Sequence, residues 1–415
     1  MALHTRLISD DPADGTAWVR AASTGFLTPP DSDPEGLERR RANLGPGRTR
    51  GAFDGERCVA TFRSFDQQLT VADGRVVTAD AISAVTVTAT HRRRGLLSRL
   101  MAEDLAEAKE RGDAAATLVA AEYAIYGRFG FGPATLATSW RVHGPRTGLD
   151  QRWSLPDSEG SLSFADGAEI RKIGPELHER FRLGQPGAID RDERFWRIHT
   201  GELQLPPGRW EEPFHVVHRD AAGVPQGMAT YTTDTAWEAG VPAGTAEVGS
   251  LFATTPAAEA ALWRFVLSLD WITTVVSKRS SPDSVLPLIL PNPRAAEIAE
   301  QTDFLWLRPL DLPALLGPRT YAAEGELVLD VRDPMGLAEG RYLLTASPEG
   351  GEAVPTGRTP DLVLGTGALA QLYLGNESAA RLVAAGLAEA ETTRAAARAD
   401  LLFHTGRRPW CPDIF

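Results

Sequence analysis

The stretch Val85-Thr86-Val87-Thr88-Ala89-Thr90-His91-Arg92-Arg93-Arg94-Gly95-Leu96-Leu97-Ser98 decides the fold of the N-terminal part of this chain. A β-branched run ends in three arginines, and an amphipathic helix is predicted from Gly95 to Arg111. A helix N-terminus offers free backbone N–H groups, glycine permits close approach, and arginine adds charge-assisted hydrogen bonds. The arginines alone are more typical of a solvated basic loop. Between a strand and a helix, they favour a diphosphate site.

The elements around this stretch form one α/β unit. Charged and apolar residues alternate in the hairpins before it, and a buried strand, a short helix and a last strand follow it. The predicted elements are helices over 14–24 and 34–43, strands over 50–65, 69–71, 76–78 and 79–88, a strand over 115–120, a short helix over 123–129 and a last strand over 135–142.

Residues 165–290 repeat the same order of elements in a weaker form. A β-rich run over 246–254 is followed by Pro256 and a predicted helix to Leu269. The place of the arginine loop is taken by Ala253-Thr254-Thr255-Pro256, which contains no arginine and no glycine. We therefore predict a duplicated domain that cannot hold a pyrophosphate.

The last part of the chain has a different character. Three predicted strands are followed by helices rich in alanine and leucine, which is typical of an α+β module. We predict a mixed α/β (α+β) protein with domains over 1–150, 151–294 and 295–415.

Composition excludes several classes of function. The 415 residues are 43% hydrophobic and 24% charged, with a formal net charge of -12, which argues against a nucleic-acid partner. The only cysteines, Cys58 and Cys411, make no disulfide framework and fit a cytoplasmic protein. No run of 18 apolar residues predicts a membrane span. The histidines show no metal-ligand spacing, so we expect no metal.

The motifs resemble those of a known family. Arg92-x-x-Gly95-x-Leu97 is similar to the Q/R-x-x-G-x-G/A acetyl-CoA loop of the GNAT acetyltransferases, with Leu97 in place of a small residue. This departure, together with Ile125-Tyr126-Gly127-Arg128-Phe129-Gly130-Phe131-Gly132, resembles the Eis (enhanced intracellular survival) branch. The resemblance covers the whole chain. It implies an active GNAT domain, a degenerate GNAT-like domain, a sterol carrier protein-like domain and a homohexamer.

The resemblance also implies how acetyl-CoA would bind as co-substrate. The backbone of the strand would pair with the pantetheine arm, the arginine loop would cradle the pyrophosphate, and the end of the next strand would lie beside the cofactor. The residues implied are Val85, Thr86 and Val87, then Arg92, Arg93, Arg94, Gly95, Leu96, Leu97 and Ser98, then Ala121 and Glu122. In the alternative interpretation, Val85 and Val87 are ordinary core residues and Thr86 faces the other side of the sheet.

Tyr126 is the candidate general acid. Acetyl transfer from CoA expels a thiolate, and a phenol with a pKa of about 10 can protonate it. The alternative is a tyrosine that only packs in the core. Tyr123, three residues earlier, is the rival on the same helical face.

The end of the chain is the candidate general base. The resemblance implies that the terminal carboxylate, here that of Phe415, accepts the proton of the attacking amine. Two prolines stiffen the tail, and its aromatic and aliphatic residues could pack into an apolar cleft. The alternative is a tail that frays or that docks on its own domain.

The predicted function is therefore an acetyl-CoA-dependent N-acetyltransferase acting on a primary amine, either an aminoglycoside-like polyamine or a protein lysine. The alternative is a non-catalytic acyl-CoA or lipid binding protein. A strongly acidic pocket for a polycation is weakly supported, since Ile414 and Gly25-Phe26-Leu27 are apolar. Glu122, Asp413 and Asp31 could contribute to such a pocket.

Overall fold

The computed structural model describes residues 3–29, 33–42, 44, 48–149, 160–204 and 210–415. Asp31 and the predicted boundary between residues 150 and 151 lie outside these ranges. The described helices are α1 (Pro12–Gly25), α2 (Pro34–Ala42), α3 (Leu96–Arg111), α4 (Tyr123–Tyr126), α5 (Gly167–Leu183), α6 (Glu193–His199), α7 (Pro256–Leu267), α8 (Leu312–Leu316), α9 (Thr366–Tyr373), α10 (Ala379–Ala384) and α11 (Thr393–Phe403).

The strands of the described chain form three main sheets and one small two-stranded hairpin. They are β1 (His4–Leu7), β2 (Arg48–Asp54), β3 (Arg57–Thr70), β4 (Val76–Val87), β5 (Ala115–Val119), β6 (Gly132–Pro133), β7 (Leu136–His143), β8 (Gly160–Ala165), β9 (Phe214–Asp220), β10 (Pro225–Asp234), β11 (Trp237–Glu238), β12 (Val241–Pro242), β13 (Gly244–Ala253), β14 (Ile272–Ser280), β15 (Ala296–Asp303), β16 (Leu305–Pro309), β17 (Gly325–Arg332), β18 (Gly340–Ser347), β19 (Gly350–Pro355), β20 (Leu362–Gly365) and β21 (Ala388–Ala390).

The first sheet has the strand order β1-β2-β3-β4-β5-β16-β6. Its neighbours are antiparallel except β4 and β5, which helix α3 connects as a parallel pair. The apolar stripe predicted for α3 faces the sheet, with Leu96, Leu100, Met101, Leu105 and Ala108 buried. The strand–loop–helix unit predicted from the sequence is therefore present, at the centre of this sheet.

The first two sheets exchange strands. The second sheet runs β15-β7-β14-β13-β10-β9-β8, so the prediction that the strand near 135–142 closes the first unit is wrong. The first sheet instead receives β16, from residues predicted to open the third domain. The chain segments that lead into β7 and β16 lie next to each other where they change sheets. Thr135 N–H donates to Leu305 O, and Phe304 N–H donates to Thr135 O. In this way the first GNAT-sized segment contributes β7 to the second sheet, and the later segment contributes β16 to the first sheet.

The third sheet runs β19-β18-β17-β20-β21 and carries helices α9 to α11, as the late part of the sequence predicts. Its interior is filled with side chains. Arg319 is fully buried and donates to the carbonyls of Tyr373 (2.8 Å), Thr320 (2.6 Å) and Phe403 (2.7 Å). These bonds satisfy a guanidinium at the centre of the domain.

The third domain is pressed against the first. A Cβ added at Gly132 would lie 2.0 Å from the carbonyl oxygen of Gly367, so only glycine lets α9 approach β6 this closely. Arg308 on β16 forms a fully buried ion pair with Asp333, at 2.7 Å. No helix in the described part of the chain is long and apolar enough to cross a membrane.

Candidate active site

Strand β4 has one free edge where the pantetheine arm is expected. It pairs with β3 along its length, but with β5 only from Ala79 to Ile82. The two parallel strands then separate, which leaves the backbone of 83–87 without a strand partner on that side among the described residues. Ala84 adopts a φ of 51°, and the register with β3 shifts between Thr61 and Arg63. The strand therefore bends at the place where it becomes free.

The side chains of this free segment alternate in the ordinary way. Val85 and Val87 pack against the core next to α3. Thr86 points to the other side, where its Oγ1 lies 2.7 Å from Thr61 Oγ1. A Cβ on Gly25 would lie 2.3 Å from Thr86, so this threonine also fits against the end of α1. Only the backbone of the segment is thus left for a ligand.

The arginine loop lies directly after this edge. Arg92, Arg93 and Arg94 are exposed, and Arg93 has a φ of 61°. Gly95 has a φ of 75°, and a Cβ there would meet nothing within 4 Å. Glycine is therefore favoured here because of the positive φ and not because of crowding, and the space around Gly95 is open to a ligand.

Helix α3 begins at Leu96 with Gly95 as its N-cap residue, which has no side chain to satisfy the first N–H groups. The backbone of Leu96, Leu97 and Ser98 forms this first turn, whose N–H groups have no acceptor within the helix. An anion is favoured at such a terminus.

His91 braces the loop, a role that the sequence analysis missed. Its backbone N–H donates to Thr88 O at 2.9 Å, and its Nδ1 lies 2.8 Å from Thr90 Oγ1. Its Nε2 lies 3.5 Å from Asp54 Oδ2. The histidine is buried while the arginines after it project into solvent. The sequence signal that could have revealed this role is the position of His91 directly before the three arginines.

Tyr126 and Tyr123 have different environments. Tyr126 is 6% exposed and packs edge to face on Phe131, whereas Tyr123 is 63% exposed and packs on Trp306. Burial, and then the negative charge of Glu122, raise the pKa of Tyr126. The phenol is therefore protonated at neutral pH and can donate. Ala121 and Glu122 are exposed between β5 and α4.

Arg308 fixes the turn that follows Tyr126. Its Nε donates to Phe129 O at 3.1 Å, while its Nη2 binds Asp333. Phe131 N–H also reaches back to Tyr126 O, at 3.4 Å. Strand β16, through Arg308, and the loop after β17, through Asp333, thus hold the segment that carries Tyr126.

The C-terminal tail is ordered along its length and runs through the second domain. Gln185 donates to Arg408 O at 2.9 Å, and Trp410 N–H donates to Pro186 O at 2.8 Å. The buried indole of Trp410 donates to Arg279 O on β14 and packs on Phe181. The alternative of a frayed tail is excluded by these bonds.

Asp413 provides the last polar anchor. Its carboxylate is bound by the guanidinium of Arg191, with 2.7 Å between Nη2 and Oδ1. Beyond it, the Phe415 ring meets Phe65 of β3 edge to face, with centroids 6.0 Å apart. The end of the chain therefore lies against the first sheet, although the tail is held mainly by the second domain.

A cavity of about 590 Å³ surrounds the end of the chain. Its walls come from β2, β3 and β4, from residues 189–199 and from the tail. Ser83, next to the free edge of β4, and Phe415 both line it, whereas Tyr126 does not. The structure thus brings the predicted base and Ser83 of β4 to one cavity. The predicted pantetheine residues Val85, Thr86 and Val87 lie outside its lining, as does Tyr126.

Neither cysteine has the environment of a nucleophile. Burial raises the pKa of the Cys58 thiol to about 12 and raises that of Cys411 as well. A thiolate is the reactive species, so both thiols are inert at neutral pH. Among the described residues, no group of three or more His, Cys, Asp or Glu side chains is arranged to hold a metal ion.

The three parts of the chain match three known families. Residues 6–134 match an acetyltransferase (GNAT) domain family, residues 187–308 match a second acetyltransferase (GNAT) domain family, and residues 312–412 match the sterol carrier protein domain. The predicted fold class, mixed α/β with two GNAT domains and a sterol carrier protein-like domain, is confirmed.

Curated relatives match the chain along most of its length. An uncharacterized N-acetyltransferase of Streptomyces avermitilis is 54% identical over 404 residues, which cover 97% of both chains. The N-acetyltransferase Eis of Mycobacterium tuberculosis is 32% identical over 364 residues, which cover 85% of both. These names favour the enzyme over the non-catalytic binding protein.

Solved structures show the same architecture. Eis1 from Mycobacterium abscessus superimposes with a TM-score of 0.84 at 28% identity, over the whole of both chains. A GCN5-related N-acetyltransferase from Anabaena variabilis gives a TM-score of 0.83 at 20% identity, which shows the shared fold alone. With two GNAT domains, a sterol carrier protein domain and these relatives, the chain belongs to the Eis-like GNAT N-acetyltransferases.

Proposed function

We propose that this enzyme transfers the acetyl group of acetyl-CoA to a primary amine by direct attack, with Tyr126 as the acid and the Phe415 terminal carboxylate as the base. The observation that carries the proposal is the path of the tail. It is bonded from Arg408 to Asp413 and ends in the cavity that Ser83 of β4 also lines. A frayed or surface-docked tail would have no reason to end there.

The residues around β4 fit acetyl-CoA. The free backbone edge at Val85–Val87 is suited to an added strand-like arm, and the first turn of α3 with the exposed arginines is suited to the pyrophosphate. The open space at Gly95 lets a phosphate come close to the backbone. Bound in this way, acetyl-CoA would supply the thioester.

The proposed reaction includes three proton transfers between the substrates and the protein. A terminal carboxyl group ordinarily has a pKa of about 3.3–3.7 and is ionised at neutral pH. The terminal carboxylate of Phe415 accepts a proton from the acceptor ammonium directly or through water. The amine nitrogen then forms a bond to the acetyl carbon and the carbon–sulfur bond breaks. Tyr126 gives its proton to the departing sulfur, so that CoA leaves as the thiol. The nitrogen then gives its second proton to the Tyr126 phenolate, directly or through water, which leaves a neutral amide and restores the phenol. The Phe415 carboxyl group releases its proton to solvent. The inert cysteines favour this direct route over an acyl-enzyme.

The second GNAT domain would serve as a holder for the tail. The N-terminus of α7 is capped by its own Thr255, whose Oγ1 accepts the Ala258 N–H at 3.2 Å. Trp410 occupies the space beside β14 in this domain. A capped helix and a filled cleft support the interpretation that this domain is degenerate and that each chain binds one acetyl-CoA.

The homohexamer and the cytoplasmic location also remain proposals. The two later domains contain several tryptophans that could lie in buried interfaces, namely Trp196, Trp210, Trp237, Trp263, Trp271 and Trp306. Trp196, Trp263 and Trp306 are buried in cores, whereas Trp237 and Trp271 are more than half exposed and contact each other. An exposed aromatic pair supports an interface between copies. Sedimentation of a monomer at micromolar concentration would refute the oligomer.

Changes in the length of the C-terminus test whether the Phe415 terminal carboxylate is the base. Three residues appended after Phe415 move the carboxylate but keep the ring, and deletion of Phe415 removes both. Both changes should abolish thiol release from acetyl-CoA with a primary amine, while calorimetry still shows acetyl-CoA binding. The same extension placed at the N-terminus is the matched control and should be active. Full activity of the C-terminally extended enzyme would overturn the assignment of the base.

A further inference from the structure

The cavity at the end of the chain contains an arginine that forms no ion pair within the described residues. Arg63 lies on β3, and its guanidinium stacks over the Phe65 ring at 5.1 Å. Its Nε is buried without a hydrogen-bond partner, and no ion pair involves Arg63 in the described ranges. The same Phe65 ring contacts Phe415, so Arg63 and the chain end share one wall.

Two of the other arginines that line the cavity are held in ion pairs. Arg191 binds Asp413, and Arg48 binds Asp66 at 2.9 Å and Asp80 at 2.6 Å. Arg63 instead has Arg194 as a close charged neighbour. Burial, and then the charge of Arg194, lower the pKa of Arg63 to about 10, with Asp192 acting in the opposite sense. Arg63 still carries its charge at neutral pH.

The four aspartates that line the cavity each have a hydrogen-bond or ion-pair partner in the protein. Asp190 accepts the backbone N–H of Gln68 at 2.8 Å, and Asp192 caps α6 by accepting the Phe195 N–H at 2.7 Å. Asp66 and Asp413 are held by the arginines named above. A polycation entering the cavity would therefore compete with Arg48 for Asp66 and with Arg191 for Asp413, whereas an anion would give Arg63 the ion-pair partner that it lacks.

We propose that the acceptor in this cavity is a primary amine that also carries a carboxylate, and that Arg63 binds this carboxylate. The inference rests on the proposed function, because it assigns the cavity to the acceptor. A buried guanidinium gains most from a charge-assisted bond to a planar anion. The ligand's body is apolar, because Ile189, Phe195, Ile198 and Ile414 form much of the remaining wall.

Three amines of one shape test the proposal: 4-(aminomethyl)benzoate, 4-methylbenzylamine and 4-(aminomethyl)benzylamine. They place an anion, a methyl group or a cation opposite the same amine. Thiol release should give a kcat/KM for the benzoate at least about tenfold above those of the other two, the scale of one charge-assisted bond. Arg63→Gln should bring the ratio of benzoate to methyl compound close to one, and Arg63→Lys should keep part of it.

Binding of 4-methylbenzoate, which has no amine, gives a readout independent of turnover. It should bind the wild type and bind Arg63→Gln at least about tenfold more weakly. If the diamine is the best substrate, or if Arg63→Gln leaves the ranking unchanged, the inference is wrong and the proposed function stands. If no amine releases thiol while 4-methylbenzoate still binds through Arg63, the proposed function fails, and the role of Arg63 toward an acceptor fails with it.

Discussion

The guanidinium of Arg191 and the carboxylate of Asp413 form a two-pronged ion pair two residues before the chain ends, with 2.7 Å between Nη2 and Oδ1. Both side chains are almost fully buried, and the Arg191 guanidinium also stacks on the ring of Phe195 at 4.3 Å. His178 Nε2 lies 3.7 Å from Asp413, but burial lowers the pKa of His178, so it is neutral at pH 7. Arg191 therefore sets where the last two residues lie.

Asp413→Asn should separate the placement of the tail from the binding of acetyl-CoA. The change keeps the size of the side chain and leaves Arg191 buried without its counter-charge, a situation that costs about 3–5 kcal/mol when a buried pair is broken. We expect turnover to fall at least about tenfold, as for a misplaced base, with little change in acetyl-CoA affinity. Thiol release and calorimetry measure the two effects.

The matched control is Glu247→Gln, which removes the exposed carboxylate that binds Lys278. Exposed pairs contribute about 0–1 kcal/mol, so this variant should behave as wild type. Wild-type turnover in Asp413→Asn would show that the tail does not depend on this pair.

Tyr126→Phe removes only the hydroxyl of the candidate acid. No described residue forms a hydrogen bond to that hydroxyl, so its loss should not destabilise the fold. Turnover should fall by roughly 10²–10⁴, the usual contribution of a positioned acid. Tyr123→Phe, on an exposed ring, should have a much smaller effect. Equal rates in the two variants would assign the proton to another group.

The sequence predicted what depends on local pattern. The arginine loop after β4, the stripe of α3 and the helices of the third domain follow from spacing and composition within about 20 residues. The sequence did not predict that β7 and β16 exchange sheets. Strand pairing joins residues far apart in the chain, and a β-rich run carries no information about which strand it pairs with. The Arg191–Asp413 pair joins positions 222 residues apart, so only the fold reveals it.

Arg93→Gly tests the charge of the loop without adding strain. Arg93 adopts a φ of 61°, which glycine accepts more easily than arginine, so the variant should fold at least as well as wild type. Loss of one charge-assisted bond to a phosphate should weaken acetyl-CoA binding about tenfold. Arg99→Ala, an exposed arginine one turn into α3, is the control for general charge. Equal affinities in the two variants would exclude Arg93 from the site.

Arg308→Met should destabilise the interface between the first and third domains. It leaves Asp333 buried without its partner and frees Phe129 O, for which we expect a loss of about 3–5 kcal/mol. The double variant Arg308→Met/Asp333→Asn removes both charges and should lose less than the two single variants together. Urea unfolding measures the coupling. Additive losses would mean that the two side chains act independently.

Two carboxyl groups, Asp80 and Asp104, are buried together between β4 and α3. Asp80 Oδ1 accepts from Arg48 at 2.6 Å and from Arg111 at 2.8 Å, and Ser64 donates to Asp104 Oδ1 at 2.8 Å. The Oδ2 atoms of both are buried without a donor. Burial, and then the neighbouring Asp80, raise the pKa of Asp104 to about 8, although Arg50 lies 3.6 Å away. A proton on Asp104 Oδ2 could be donated to Asp80 Oδ2, so that both buried oxygens would take part in a hydrogen bond.

This proton makes stability depend on pH in a defined direction. The folded pKa of Asp104 is about 8, and an unfolded aspartate has a pKa of about 3.9, so the folded state holds the extra proton between these values. Its contribution to stability is therefore complete below about pH 4 and is lost as the pH rises towards 8.

Asp104→Asn imitates the protonated form at every pH. Relative to wild type, the variant should gain stability progressively between about pH 4 and pH 8, by up to about 1.4 kcal/mol per unit, and the difference should level off above about pH 8. Asp66→Asn, which removes the exposed partner of the same Arg48, should show no such trend. Urea midpoints across this range decide the matter, and a constant difference between Asp104→Asn and wild type would mean that Asp104 is ionised in the folded protein.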